Sequence, residues 1–214
     1  MFRTYINHKV FRHYLFTVIG PCVKILTMTD TNTSPLMTGR FVEPGVVSTH
    51  FHLNAGDTVA DFGAGSGYFM EVLAVLVGKE GVVYACEIQK ELSIKLGETA
   101  RSKGLSQVRP MWGDVEDVGG SKIPDGELDA AIVVNTFFQF EDKATALKEI
   151  LRTLRNGGKL FIVDWSESFG GLGPQPGHVV SEADAKALAE QEGFVFDTSF
   201  DAGDHHYGLA LRKP

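Results

Sequence analysis

The chain has 214 residues, of which 43% are hydrophobic and 22% charged. That is the makeup of a globular domain, with enough chain to bury a core, and it excludes a disordered polypeptide. The net charge is −7 and uneven: residues 1–28 hold Arg3, Lys9, Arg12 and Lys24 and no acid, leaving 16 basic against 27 acidic side chains for the rest. Such a body disfavours broad contact with nucleic acid, which depends on Lys and Arg neutralising phosphates.

In chain order, residues 13–23 form the longest early stretch without Lys, Arg, Asp or Glu. Eleven residues are too few to span a bilayer, which takes about 20. No small-residue cleavage pattern follows, so the segment does not read as an export signal. The readings left open are a short helix lying on the domain or on a membrane surface, and a dispensable extension, since Met28 and Met37 are alternative starts. Residues 27–38, rich in Thr, Ser and Asn, read as a linker. The expected organisation is therefore an extension over residues 1–38 and one domain over 39–214. Cys22 and Cys86 form no paired motif, as expected of reduced thiols in a cytoplasmic protein. The seven histidines join no metal-ligand pattern, so no metal is expected.

From residue 39 onward, short apolar runs alternate with helical periodicity. Strands are expected at 58–61, 82–86, 108–112, 130–134 and 159–164, and helices at 68–77, 90–103 and 142–154, the last stopped by Asn156-Gly157-Gly158. The 130–134 run is wholly apolar, as in a strand covered on both faces. A Gly/Pro-rich loop covers 170–177, Ser181 with Asp184 marks a helix start, and residues 194–200 and 206–211 read as a terminal hairpin. Alternation of this kind predicts an α/β fold, a doubly wound parallel sheet with helices on both faces. Ligands in such folds bind beyond the carboxyl ends of the strands, so the residues there carry the information.

The first of those ends reads Asp61-Phe62-Gly63-Ala64-Gly65-Ser66-Gly67. Alternate glycines let the backbone turn sharply and approach a ligand, and the helix that follows offers free N–H groups. Glu87, 20 residues past Gly67, ends the second strand, where a carboxylate can accept both hydroxyls of a ribose. Gly113-Asp114 follows the third strand; Asp114 is placed either to receive an adenine amino group or to cap a helix. A dinucleotide fingerprint would need a glycine at position 68, which is Tyr68. Asp61 directs negative charge into the pocket, which disfavours pyrophosphate and suits a cationic or amino-acid end. A nucleoside with a positive centre and no phosphate meets these demands, and S-adenosylmethionine is one.

These motifs resemble those of the class I S-adenosylmethionine-dependent methyltransferases, in the style of the small type 11 group. The resemblance runs over residues 41–211. VADFGAGSGYF is similar to the first family motif, YACEIQ to the second and WGDVED to the third; DAAIVVNTFFQFED and LRNGGKLFIVDW resemble the fourth and fifth strands. It implies a Rossmann-like seven-stranded sheet of order 3-2-1-4-5-7-6 with the last strand antiparallel. It also implies a cofactor site of Asp61, Gly63, Ala64, Gly65, Gly67, Glu87, Ile88, Asp114, Val115 and Asn135, S-adenosylhomocysteine as product, and a small-molecule methyl acceptor. Asn135-Thr136-Phe137-Phe138 departs from the (D/N)PP(Y/F) pattern of enzymes that methylate exocyclic nitrogens, and no arsenite-binding cysteine set is present. Candidate bases are Asp164, Glu167, His178, His205 and His206. Strand alternation would send the two adjacent histidines to opposite faces. Phe137, Phe138 and Phe140 line either an acceptor site or the core. The alternatives are a methyltransferase acting on RNA or protein, and an NAD-binding oxidoreductase or non-catalytic nucleotide-binding protein on the same fold.

Overall fold

The computed structural model describes residues 41–169 and 171–214; the expectations for residues 1–38 lie outside them. Seven strands form one sheet: β1 (Thr58–Phe62), β2 (Val82–Glu87), β3 (Val108–Trp112), β4 (Leu128–Val134), β5 (Leu154–Trp165), β6 (Val195–Asp201) and β7 (His206–Arg212). Their order is β3-β2-β1-β4-β5-β7-β6, with β7 antiparallel to both of its neighbours and the other pairs parallel. This is the expected Rossmann-like α/β architecture.

The strands sort their side chains by parity into two cores. Val59, Ala130, Ile132, Phe161 and Val163 point to one face, where α2 (Met70–Val77) and α3 (Lys90–Ser102) supply Leu73, Val77, Leu96 and Ala100. Ala60, Phe62, Ala131, Val133, Leu160 and Ile162 point to the other, against Leu147 and Ile150 of α4 (Lys143–Thr153) and Ala185 and Ala189 of α5 (Glu182–Gln191). A strand buried on both faces has no polar side to show, hence the unbroken apolar run in β4. Helix starts follow capping chemistry: the Asp142 carboxylate accepts the Thr145 N–H, and the Ser181 hydroxyl accepts that of Asp184.

Two boundaries differ from expectation. Asn156-Gly157-Gly158 does not stop α4, which ends at Thr153 and passes directly into β5. The glycines instead form a bulge: pairing jumps from Leu128↔Leu154 to Ala130↔Lys159, Gly157 takes φ +75°, and its N–H donates to the Lys213 carbonyl. The second difference is upstream of β1. A short helix α1 (Pro44–Val47) and a helical turn at Ser48–Phe51, absent from the sequence reading, bury Val47 and Phe51 against the α2 face.

Candidate functional site

At the carboxyl end of β1 the chain reverses through three glycines with positive φ: +83° at Gly63, +55° at Gly65 and +85° at Gly67. Gly63 is hemmed in by β4's exit. A Cβ there would stand 2.3 Å from Cγ2 of Thr136, whose hydroxyl lies 3.3 Å from the Gly63 carbonyl oxygen and 2.9 Å from that of Val134. The amides of Gly63 and Ala64 both donate to the Cys86 carbonyl, which binds the turn to β2. Around Gly65 a Cβ would meet only the Gly63 carbonyl oxygen, 3.9 Å away, so this part of the turn lies open to a ligand.

Glu87 reinforces the turn from the next strand. Its Oε2 accepts the Gly65 N–H at 3.0 Å and its Oε1 the Gln89 N–H at 2.8 Å, with the residue 6% exposed. Each carboxylate oxygen keeps a further lone pair, so the same group that fixes the glycine turn can still accept two hydroxyls. Asp61, one residue before the end of β1, is 4% exposed. Burial, and then the charge of Glu87, push its pKa up to about 7. Two buried carboxylates thus meet at the adjacent ends of β1 and β2, and when both are ionised their charge disfavours a phosphate and favours a cation.

The remaining expected residues gather along the same edge. Ile88 is half exposed, and its carbonyl accepts the Trp112 indole N–H. Asp114 caps its own loop by accepting the Glu116 N–H, and Val115 packs on the α4 face. That loop is tied to α4 by the fully buried Glu149, which accepts the Gly119 and Ser121 amides and the Ser121 hydroxyl and pairs with Arg152. Asn135, immediately beyond β4, has φ +54°. Its N–H donates to Val163, and its buried Oδ1 has no partner. A non-glycine residue held in the left-handed region with an orphaned polar atom is the kind of strain that clusters at ligand sites.

The candidate bases divide. His178 and Glu167 are exposed. Asp164 is 1% exposed and sits on the α4–α5 face, where its two oxygens accept the Phe138 and Trp165 amides. Burial raises its pKa to about 7 against those amides. His205 precedes β7 in a turn, so strand alternation does not apply to it, and both histidine rings are buried. His206 pairs with Trp165 across β7 and β5, and burial followed by the His205 charge lowers its pKa to about 4. Phe137 and Phe140 belong to the core, edge to face with each other, and only Phe138 is part-exposed. Thr136, Gln89 and the Glu149 brace were missed in the sequence. Their roles rest on backbone contacts between distant segments, which spacing does not reveal. No group of three or more His, Cys, Asp or Glu side chains that could hold a metal occurs among the described residues.

Comparison with known proteins agrees with this fold. Residues 60–162 match a family model described as a methyltransferase domain. The chain is 30% identical over 122 residues to a ubiquinone/menaquinone biosynthesis C-methyltransferase of Chromobacterium violaceum, covering 57% of this chain and 48% of that one. It is 33% identical over 135 residues to an arsenite methyltransferase of Aquipseudomonas alcaligenes, covering 61% and 38%. The chain therefore spans about half, or less, of the length of these curated relatives. Among solved structures, a SAM-dependent methyltransferase from Aquifex aeolicus superposes with a TM-score of 0.74 at 27% identity, covering 80% of this chain and 89% of that one. With the glycine turn, the two strand-end carboxylates and the 3-2-1-4-5-7-6 sheet in place, residues 60–162 match a methyltransferase domain and the chain is similar in sequence and fold to S-adenosylmethionine-dependent methyltransferases.

Proposed function

We propose that this chain transfers a methyl group from S-adenosylmethionine to a small-molecule acceptor, using residues 39–214 as the catalytic domain and residues 1–38 as an extension. The observation that carries the reading is the pair of buried carboxylates flanking one glycine turn, with Glu87 of β2 fixing the Gly65 amide and Asp61 buried near the end of the adjacent β1. The pair suits the two charged or hydroxylated parts of a phosphate-free nucleoside. Asp61 holds the cofactor's ammonium group, Glu87 its ribose hydroxyls, and Ile88 and Val115 offer apolar surface to the adenine, with Asp114 receiving the adenine amino group. When bound, the cofactor supplies a methyl group already activated by its sulfonium. The protein then has to align a nucleophile and exclude water, and positioning carries much of the rate. A buried, unpaired Cys86 fits a reducing compartment such as the cytoplasm. No helix among the described residues is long and apolar enough to cross a membrane.

Calorimetric titration with S-adenosylhomocysteine tests this directly, with NAD as the competitor ligand and Asp61→Ala and Glu87→Ala alongside. Micromolar binding lost in both variants is the expected result. No binding, or preference for NAD, would overturn the assignment.

A further inference from the structure

A second cluster of unsatisfied groups lies at the same end of the sheet, beyond β5 and β7. His205 Nδ1 stands 2.8 Å from Oε1 of Glu167, while its Nε2 is buried without a partner. His206, 7% exposed, leaves both ring nitrogens unpartnered. The walls are aromatic. Phe169 stacks on His205 with ring centroids 3.7 Å apart, Trp165 lies 4.2 Å from His206, and Phe41 packs on His205, Trp165 and Phe169. One strap joins this cluster to the glycine turn: the hydroxyl of Tyr68, next to Gly67, donates to the carbonyl of Val42, next to Phe41. Asn135, with its orphaned Oδ1, is hydrogen-bonded to Val163 on β5, two residues before Trp165.

We propose that this aromatic box is the methyl-acceptor subsite, that it takes a planar aromatic or enolic hydroxyl, and that His205, oriented by Glu167, is the base that removes its proton. The proposal rests on the cofactor reading above. Glu167 accepts the Nδ1–H and so fixes the tautomer that leaves the lone pair on the buried, unpartnered Nε2, the arrangement expected of an oriented general base. A planar ligand entering this ring cluster would replace ring-on-ring contacts with stacking contacts of the same kind. A hydroxyl both donates and accepts, which answers an Nε2 that can only accept and a His206 ring that, when neutral, presents one donor and one acceptor. In the step, the acceptor oxygen forms its bond to the methyl carbon as its proton passes to His205 Nε2. The carbon–sulfur bond breaks with its electron pair left on sulfur. Glu167 is a positioning residue, since it acts only through His205.

The test uses the full chain saturated with tritiated-methyl S-adenosylmethionine and the hydroxyl probes 1-naphthol, catechol and acetylacetone enol, with benzylamine and thiophenol for comparison. The expected result is transfer to at least one hydroxyl probe. His205→Ala and His205→Asn should lower it about a hundredfold or more, as loss of a general base does, with S-adenosylhomocysteine affinity unchanged and activity partly restored by added imidazole. Glu167→Gln, which still accepts the Nδ1–H, should keep most of the activity. Glu167→Ala should lower kcat about tenfold with KM for the probe little changed. Transfer confined to benzylamine or thiophenol, no transfer to any hydroxyl probe by cofactor-loaded protein, or histidine variants as active as the parent would overturn the acceptor proposal alone. Failure of the parent protein to bind S-adenosylhomocysteine would overturn the cofactor reading beneath it.

Discussion

Lowering the pH below neutrality should weaken cofactor binding through Asp61. In the free protein, burial and the neighbouring Glu87 hold this carboxyl at about 7, whereas an ammonium group binds only its ionised form. Binding is then linked to loss of one proton. Affinity for S-adenosylhomocysteine should fall roughly tenfold for each pH unit below about 7, or about 1.4 kcal/mol per unit. Between about pH 7.5 and pH 5.5 the expected loss is on the order of thirtyfold. The assay is calorimetry across that range in buffers of different ionisation enthalpy, which counts protons directly. Close to one proton should be released per ligand at the acid end and a minority near pH 7.5. Asp61→Asn should bind at least tenfold more weakly at pH 7.5 and lose the pH dependence, with its fold checked by circular dichroism. A wild-type affinity that stays flat over the range, or binding without proton release, would refute the view that this carboxylate meets the ligand's cation.

The same group makes an opposite prediction for the free protein. Its folded pKa lies above the unfolded value of 3.8, so its contribution to stability declines as the pH rises from about 4 through 7; Asp61→Asn should therefore raise the melting temperature of unliganded protein at pH 8 by several degrees. Gly63→Ala should destabilise the fold by a few kcal/mol and abolish S-adenosylhomocysteine binding, because the added methyl meets Thr136 at 2.3 Å and the residue sits at φ +83°; near-native melting and affinity would refute the clamp. Glu149 gives an acid-side signature. Burial alone would raise its pKa, but the hydrogen bonds from Arg152 and Ser121 and the Gly119 amide outweigh it and hold the group at about 2. Its stabilisation is full above about pH 4.5 and is lost as the pH falls through 2, so Glu149→Gln should lower stability by about 2–3 kcal/mol at neutral pH and flatten the acid limb of a denaturation series.

How far the sequence carried the reading depends on whether a feature is local. Asp61, the three glycines and Glu87 sit at strand ends fixed by runs of apolar residues on either side, so spacing alone placed them at one edge of the sheet. The strand order and the reversed β7 came from the family resemblance, because the pairing of distant strands leaves little trace in periodicity. The Asn156-Gly157-Gly158 segment misled for a physical reason. Glycines that commonly end helices serve equally well in a bulge, and here the Lys213 backbone at the far end of the chain captures them. The histidine pair misled similarly: alternation holds within a strand, and His205 lies one residue outside β7. Phe137 and Phe140 could not be assigned from sequence because a phenylalanine at a strand exit looks the same whether it faces a ligand or α4.

The proposed cofactor half and the proposed acceptor half of the site differ in how the protein stabilises them. The cofactor half is backbone-defined: amides of Gly63, Ala64, Gly65 and Gln89 are all accounted for by β2, through the Cys86 carbonyl and the Glu87 carboxylate. Such a site is specified by the glycine conformations and two strand-end acids, which is why its motif is short and readable. The histidine half is defined by side chains drawn from the 41–42 strap, the end of β5, the loop after it and the turn before β7. Each contributes one or two residues, and no segment of sequence carries the pattern. Each unpartnered buried nitrogen there costs about 1–3 kcal/mol, which a hydroxyl partner would offset. The unsatisfied groups thus concentrate in the half that sequence motifs leave undefined, as expected if the cofactor is held at β1 and β2 and the choice of acceptor lies at β5 and β7.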